Sequence, residues 1–251
     1  MEAPIAIVLA AGKGTRMKSD LPKVLSEACG RPLVAYVLDA LRAAGVGRII
    51  AVVGYRADLV ESKLSSEYDN IDFALQKEQL GTGHAVMMCR DHLQGHDGPV
   101  IVVTGDSPML QVSSIKALLD DFEANRPASL LGTLIHEDPT GLGRIVRDDD
   151  GNFVGIVEEK DATEEQRKID EVNMSTYLFD CQHLLASLDK LTDDNQQKEY
   201  YITDVPGILL KEGQDVRALP VLKPVEALSV NTVEHLADVE DAMKRIQTSD
   251  A

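Results

Sequence analysis

IAIVLAAGKGTRM, running from Ile5 to Met17, is the stretch around which this chain is organised. It begins with an apolar run, residues 5–9, that has the length and composition of a short buried strand. Gly12 and Gly14 follow, and they let the backbone turn tightly so that consecutive amide N–H groups can bind an anion. Three cations lie in this loop or shortly after it: Lys13, Arg16 and Lys23. The pattern predicts a strand that ends in a phosphate-binding loop, with a solvated basic loop as the alternative.

The glycines of this loop match neither of two common phosphate-binding motifs. The loop lacks the third glycine of the G-x-G-x-x-G dinucleotide fingerprint. It also lacks the Gly-Lys-Ser/Thr ending of the P-loop. The sequence therefore argues against an NAD site and against a Walker-type nucleotide site.

The charge of the chain excludes some classes of partner. Its 251 residues include 42 acidic and 25 basic ones, which gives a net charge of −17. Nucleic acids and anionic membranes repel such a protein. Its three cysteines, Cys29, Cys89 and Cys181, form no CxxC motif, as expected of free thiols in a reducing cytoplasm. Since neither a signal-peptide pattern nor an apolar run near 18 residues occurs, we expect a cytoplasmic protein without a membrane partner.

The first half of the chain alternates strand and helix patterns. Strands are predicted at residues 5–9, 49–53, 71–75, 100–103 and 129–135, and helices at 33–41, 56–64 and 113–124. This alternation is typical of a mostly parallel sheet with right-handed crossovers. Ligands of such sheets bind outside the carboxyl ends of the strands, so the loops after Leu9 and Val103 are predicted to face one crevice.

The second half has a different character. A hairpin with an acidic turn is predicted at residues 144–157, strands at 173–179 and 216–222, and helices at 200–211 and 232–246. Residues 161–171 are so heavily charged that we expect a mobile or solvated segment. Pro206 either kinks the first of these helices or lies in its first turn. The sequence contains no linker, repeat or low-complexity tract, so we expect one compact unit.

Taken together, several motifs resemble the signature of sugar-1-phosphate nucleotidyltransferases. They are LAAGKGTRM at 9–17, PKVL at 22–25, Gln76, QLGTGHA at 79–85, GDSP at 105–108, DPTGLGRI at 138–145, GIVE at 155–158, EYYITD at 199–204 and VN at 230–231. More narrowly, the chain is similar to the uridyltransferase domain of the bifunctional N-acetylglucosamine-1-phosphate uridyltransferase/glucosamine-1-phosphate acetyltransferases. The similarity covers nearly the whole chain, in the order and at the spacing of that family.

The resemblance implies a fold and assigns a binding role to each part of the chain. The fold is α/β, a Rossmann-like, mostly parallel sheet flanked by helices (the nucleotide-diphospho-sugar transferase fold) with a sugar-binding lobe. Residues 1–251 are expected to form a single nucleotidyltransferase domain. Residues 1–139 are the nucleotide-binding half, 140–228 the sugar-binding lobe, and 229–251 a closing segment with the C-terminal helix. The sequence has no hexapeptide repeats, so we expect no acetyltransferase β-helix, and a monomer or weak dimer.

The resemblance also implies a reaction. UTP and N-acetylglucosamine-1-phosphate would give UDP-N-acetylglucosamine, a cell-wall (peptidoglycan) precursor, and pyrophosphate, by Mg²⁺-dependent in-line attack on the α-phosphorus. A nucleotidyltransferase for another sugar-1-phosphate, such as glucose-1-phosphate, or for another nucleotide is the nearest alternative. A non-catalytic nucleotide-sugar-binding module is a more distant one.

The site residues implied by the resemblance fall into four groups. The catalytic cations are Arg16 and Lys23. The nucleotide is bound by Leu9, Ala11, Gly12, Gly14, Thr15, Gln76, Gly81 and Thr82. The sugar is bound by Gly143, Glu158 and Asn173, and the metal by Asp106 and Asn231.

Elementary chemistry agrees with several of these roles. Arg16 can bind phosphate oxygens through a planar fork, whereas Lys23 supplies a mobile point charge. Asp106 follows a strong strand, where a carboxylate can bind Mg²⁺. For Asn231 taken alone, a helix N-cap is the more common role, and only the resemblance favours the metal. His84 is expected to be a structural residue, because an ionised phosphate nucleophile has no proton to lose.

The chain departs from the family at four places. Thr104 stands where the family usually has tyrosine, and Ser107 where it has a small apolar residue. Glu159 replaces a residue that is often histidine or glutamine. After Asn173 the family reads Thr-Gly, whereas this chain has Met174-Ser175. Because that turn lies beside the sugar in the family, the identity of the sugar stays open at this stage.

Overall fold

Strands and helices alternate along residues 2–17 and 19–249, the part of the chain that the computed structural model describes, with the side chains of 247–249 left out. The strands are β1 (Ile5–Leu9), β2 (Glu27–Ala28), β3 (Arg31–Pro32), β4 (Arg48–Val53), β5 (Ile71–Leu75), β6 (Pro99–Thr104), β7 (Ser129–Ile135), β8 (Arg144–Arg147), β9 (Phe153–Val157), β10 (Glu171–Asp180) and β11 (Val216–Leu219). The helices are α1 (Leu33–Ala43), α2 (Ala57–Glu67), α3 (Thr82–Met87), α4 (Val112–Asn125), α5 (Cys181–Leu188), α6 (Val205–Lys211) and α7 (Val233–Ser249). In this part of the chain every helix is too short or too polar to cross a lipid bilayer.

One large sheet has the strand order β11-β7-β10-β6-β1-β4-β5. Neighbours are parallel except at β10, which runs antiparallel to both β6 and β7. The hairpin of β8 and β9 extends from β10, and β2 and β3 form a separate pair. The expected mostly parallel α/β sheet is confirmed.

Strand β1 lies at the centre of the sheet and is buried on both faces. Ile5 and Ile7 pack into one apolar cluster, whereas Ala6 and Val8 pack into another on the opposite face. Helices cover both faces, which is why this strand is a continuous apolar run instead of an alternating one.

The carboxyl ends of the central strands lie side by side. Leu9 at the end of β1 is in register with Val52 in β4 and with Thr104 in β6. The amide of Gly105 donates to the Leu9 carbonyl at 2.9 Å. The loops that follow Leu9 and Thr104 therefore face one crevice, as the sequence predicts.

Helix α7 packs against the first half of the chain. Val230, Val239 and Met243 share an apolar cluster with Met17 and Leu33. This contact brings the segment before α7 to the crevice at the end of β1.

The structure corrects several element boundaries. The helix predicted from residue 200 begins as α6 at Val205, after a 3-10 turn at Ile202–Asp204. Pro206 lies in its first turn, where a missing N–H breaks no helical hydrogen bond. Tyr200 is extended instead, since its amide donates to Leu80 and its carbonyl accepts from Gly83.

Other elements differ in length or were not predicted. Strand β11 ends at Leu219 and not at residue 222, and β10 begins at Glu171, within the segment predicted to be loop-like. Helices α3 and α5 are absent from the sequence prediction, because their six and eight residues are too few for a clear helical period.

Candidate functional site

Of the two glycines in the loop after β1, Gly14 is required by the protein's own packing and Gly12 is not. Gly14 has a φ of +66°, and a β-carbon there would lie 2.5 Å from the Lys23 β-carbon. Glycine at this position therefore allows Lys23 to pack against the loop. A β-carbon on Gly12 would meet no protein atom within 4 Å. The protein packing that requires glycine at position 14 is therefore absent around Gly12 among the described residues.

Four polar side chains meet at the end of β1 and β6. The Lys23 ammonium forms an ion pair with the Asp106 carboxylate and donates to Asn231 Oδ1 at 3.0 Å. Arg16 donates to the same amide oxygen at 2.9 Å. The structure thus brings together the two predicted catalytic cations and the two predicted metal ligands, which span residues 16–231.

Backbone contacts hold this cluster in place. Asp106 lies two residues after β6, and its carbonyl accepts from the Val230 amide at 3.1 Å. Thr232 caps α7, since its hydroxyl accepts from the His235 amide at 3.3 Å. The N-cap role considered for Asn231 is thus filled by its neighbour, and the Asn231 side chain faces the cations.

The donor set at this point suits a hard cation. Asp106 and Asn231 offer a carboxylate and an amide oxygen, the ligand types that Mg²⁺ takes from proteins while keeping waters or phosphate oxygens. In the described ranges no group of three or more His, Cys, Asp or Glu side chains forms a metal cage. A divalent cation here would depend on its substrate or on water for the remaining ligands.

A second group of predicted residues forms a tightly packed turn. Gln76 is buried, and its side-chain Nε2 contacts the Gly81 carbonyl at 3.0 Å and His84 Nδ1 at 3.1 Å. The Thr82 hydroxyl accepts from the Ile202 amide at 3.1 Å. His84 thus has the structural contact expected of it. The turn joins the loop after β5 to the segment before α6.

Replacing Gly81 by alanine should destabilise the protein strongly. Its φ is +104°, and a β-carbon would lie 2.9 Å from the Glu199 β-carbon and 3.0 Å from the Tyr200 amide. We expect a loss of about 3 kcal/mol, because overpacking adds to the positive φ. Gly213, with a φ of +73° and open space around it, is the matched control. G213A should lose only about 1 kcal/mol in urea unfolding. If G81A and G213A lose the same free energy of unfolding, the close packing of Gly81 against Glu199 and Tyr200 is contradicted.

Beside the polar cluster lies a cavity of about 760 Å³. Leu9 and Thr104 line it next to the cluster, so it opens from the carboxyl ends of β1 and β6. Its other lining residues are Thr82, Val102, Gly141, Glu158, Glu159, Lys160, Asp161, Ser175, Tyr177, Asn195, Gln196, Gln197, Tyr201, Ile202 and Thr203. Hydroxyl, amide and carboxylate groups dominate this set, and such groups can hydrogen-bond a sugar.

The predicted sugar-binding residues take different positions. Glu158 lines the cavity. Asn173 is buried below it, and its side chain bonds the Tyr177 hydroxyl at 2.9 and 3.0 Å. The Gly143 carbonyl accepts from the Asn173 amide at 2.8 Å. Tyr177 received no role from the sequence, because a tyrosine within an apolar strand is an ordinary core residue.

Other lining residues were also missed. Tyr201 and Thr203 lie in EYYITD, a motif that supported the resemblance without giving its members roles. Residues 195–197 come from a polar stretch with no periodic signal. The motif around Tyr201 was the one signal that could have identified part of this wall.

Glu158 and Glu159 are neighbours with opposite electrostatic surroundings. Burial raises the pKa of Glu158, and the carboxylates of Asp161 and Asp204 raise it further. The pKa of Glu159 is lowered by its hydrogen bond from Arg144, at 2.6 Å. Arg144 is only 2% exposed, so Glu159 neutralises a buried cation. The same carboxylate accepts from the Gly141 amide at 3.3 Å, which ties together two loops that line the cavity.

These opposite shifts predict opposite mutant effects on stability at pH 7. E158Q should raise Tm, because the ionised carboxyl is disfavoured by the fold, and the gain should vanish below the ordinary pKa of 4.5. E159Q should lower Tm at pH 7, because the fold favours the ionised carboxylate of Glu159. The difference in Tm from the wild type should disappear as the pH falls below 4.5 and the Glu159 carboxyl of the folded wild type becomes protonated. Thermal denaturation of both variants and the wild type between pH 7 and pH 4 measures this, and shifts of the same sign at pH 7 would contradict it.

Comparisons with known proteins place the chain in a family. A family model described as nucleotidyl transferase matches residues 5–222. The chain is 45% identical over 239 residues to the protein named Bifunctional protein GlmU of Clostridium perfringens (strain SM101 / Type A), which covers 95% of this chain and 52% of that protein. It is 47% identical over 244 residues to the protein of the same name from Limosilactobacillus fermentum, covering 97% and 53%. The chain spans about half the length of these curated relatives.

A solved structure is also similar. The crystal structure of a UDP-glucose pyrophosphorylase complexed with UDP-glucose matches with a TM-score of 0.77, over 97% of this chain and 99% of that one. The identity is 19%, so the likeness concerns the fold alone.

Proposed function

The chain belongs to the nucleotidyl transferase family, and we propose that it transfers a uridyl group from UTP to N-acetylglucosamine-1-phosphate, giving UDP-N-acetylglucosamine and pyrophosphate. The observation that carries this proposal is the meeting of Arg16, Lys23, Asp106 and Asn231 at the carboxyl ends of β1 and β6, where Leu9 and Thr104 line a neighbouring cavity. The identity of 43–47% to proteins named GlmU, over nearly the whole chain, supports the choice of nucleotide and sugar.

The loop after β1 is the proposed triphosphate site. The amides of Ala11, Gly12, Gly14 and Thr15 would bind phosphate oxygens at the end of a parallel strand. Arg16 adds a planar fork that suits the leaving pyrophosphate. Leu9 and the turn of Gln76, Gly81 and Thr82 would hold the nucleoside, with the Gln76 amide reading the uracil edge.

The chemistry needs positioning and charge neutralisation more than covalent help. A phosphate oxygen of the sugar-1-phosphate attacks the α-phosphorus of UTP, and the bond to the β-phosphate oxygen breaks in line as pyrophosphate leaves. The attacking oxygen is already ionised, so no general base is needed. The long flexible chain of Lys23 lets its ammonium leave Asp106 and neutralise the charge that builds up at the α-phosphate.

Asp106 and Asn231 are the residues that would hold Mg²⁺. Their oxygen donors fit that ion, which when bound neutralises phosphate charge and helps to fix its geometry. Both oxygens already contact the Lys23 ammonium, so the chain presents them to a cation.

The cavity is the proposed sugar site. Glu158 and Asn173 would hydrogen-bond hydroxyl groups, and the backbone at Gly143 would contact the ring. In this proposal residues 1–139 bind the nucleotide, 140–228 the sugar, and 229–251 close the site. The substrates are small molecules of the cytoplasm, and we expect the chain to act as a monomer or weak dimer.

Pyrophosphate release tests the proposal. Four nucleoside triphosphates are crossed with N-acetylglucosamine-1-phosphate, glucosamine-1-phosphate and glucose-1-phosphate, with Mg²⁺ and with EDTA. We expect release with UTP and the acetylated sugar, abolished by EDTA. A preference for glucose-1-phosphate would favour the alternative sugar, which the departure at Met174-Ser175 leaves open. Absence of release with every pair would favour a non-catalytic module.

A further inference from the structure

Ser175 has an unusual backbone for its residue type. Its φ is +51°, in the left-handed region that favours glycine. It lies where the register of β10 against β7 shifts, between Asn173 and Thr176. Such bulges are frequent next to active sites, where they redirect a side chain. A serine that keeps this conformation places a β-carbon and a hydroxyl at a point where glycine would leave space.

The added side chain is part of the cavity wall. Ser175 lines the cavity, and its backbone amide donates to Asn173 Oδ1 at 3.4 Å. The Asn173 side chain also bonds the buried hydroxyl of Tyr177. The Ser175 backbone is therefore tied to a buried pair of side chains, which fixes the position of its β-carbon in the cavity wall.

Strand direction places Ser175 toward the phosphate end of the cavity. Tyr177 in β10 is opposite Val102 in β6, and the strands are antiparallel. The residues before Tyr177 therefore run toward the carboxyl end of β6, and both Ser175 and Thr104, the last residue of β6, line the cavity. Asp106 follows Thr104 by two residues. The sugar atoms nearest the 1-phosphate would lie against this wall.

In a hexose-1-phosphate, those atoms are C1, the ring oxygen and the substituent on C2, and of these the C2 substituent is the one whose size differs between sugars. We propose that Ser175 is a specificity-determining residue that limits the size of the C2 substituent of the sugar-1-phosphate. This inference rests on the proposed function, since it assumes that the 1-phosphate binds beside Asp106. A pocket wall of this kind discriminates by about 10-fold or more for each methylene that no longer fits.

A series of acyl groups on the sugar tests the inference. Glucosamine-1-phosphates carrying N-acetyl, N-propionyl and N-butyryl groups are compared by pyrophosphate release with UTP and Mg²⁺. In S175G, kcat/KM for the N-butyryl sugar relative to the N-acetyl sugar should rise about 10-fold over the wild type. S175A, which keeps the β-carbon, should show a smaller gain. S175G should also fold, with Tm raised by about 2–4 °C, because it removes the positive φ from a serine.

R126G is the matched control. Arg126 also has a positive φ, +53°, at the end of α4 and outside the cavity lining. The R126G variant should be more stable than the wild type, with unchanged relative kcat/KM values for the three acylated sugars. If the wild type is active and S175G has the same ratio of kcat/KM for the N-butyryl and N-acetyl sugars, the inference is wrong but the proposed function stands. The inference is also wrong if R126G changes this ratio as much as S175G does. A wild type that releases no pyrophosphate with any sugar would overturn the proposed function, and the inference with it.

Discussion

Replacing Asp106 by asparagine should lower kcat/KM by at least about 10³-fold. The change keeps the size of the side chain but removes the charge that attracts a divalent cation, and it leaves the Lys23 ammonium without its ion-pair partner. The pair is 16% and 17% exposed, so its loss should also cost about 1–3 kcal/mol of stability. Pyrophosphate release as a function of Mg²⁺ concentration measures the first effect, and urea unfolding the second.

Asp72 provides the matched control for Asp106. It pairs with Arg48 at 2.8 Å on the surface, with both side chains at least 40% exposed. D72N should change the free energy of unfolding by less than about 1 kcal/mol and leave kcat/KM unchanged. Activity of D106N within tenfold of the wild type would remove Asp106 from the proposed metal site.

Replacing Lys23 by alanine should lower kcat by about 10²–10³-fold and raise the KM for UTP much less. In our proposal its charge acts on the α-phosphate as negative charge develops, so its loss is felt mainly in the transition state. K23R should restore only part of the rate, because a planar guanidinium does not reproduce a compact ammonium. Initial-rate kinetics with UTP varied at saturating sugar-1-phosphate separate the two constants.

Lys13 tests whether any cation of the same loop would have this effect. Its ammonium lies 5.1 Å from the centre of the Tyr55 ring and has no contact with the Asp106 cluster. K13A should therefore reduce kcat by less than about threefold. An unchanged kcat in K23A, or an equal loss in K13A, would contradict a specific role for Lys23.

Much of the central sheet could be predicted from local sequence patterns. Residues 5–9 and 100–103 are apolar runs because strands β1 and β6 are covered on both faces. The alternation with helices predicted that these strands are parallel and that their loops meet, and Leu9 and Thr104 do lie in register. The short helix α3 was missed because its six residues are too few to show a helical period.

The candidate site could be predicted in part. Arg16, Lys23, Asp106 and Asn231 were identified by motif, and the structure brings them into contact. Tyr177 was missed, because it has the sequence environment of an apolar core strand while its hydroxyl bonds Asn173 below the cavity.

The sequence by itself determined the class of the fold and the family of the chain, and it predicted a phosphate-binding loop at residues 9–17. These follow from hydrophobic period, turn residues and motif spacing, which act over a few neighbouring residues. Only the tertiary structure decided that the Asn231 side chain contacts Arg16 and Lys23, that Glu159 neutralises a buried Arg144, and that Ser175 adopts a positive φ in the cavity wall. Each depends on strand register and on packing between distant segments, because a side chain acquires its partner and its dielectric environment only when those segments meet.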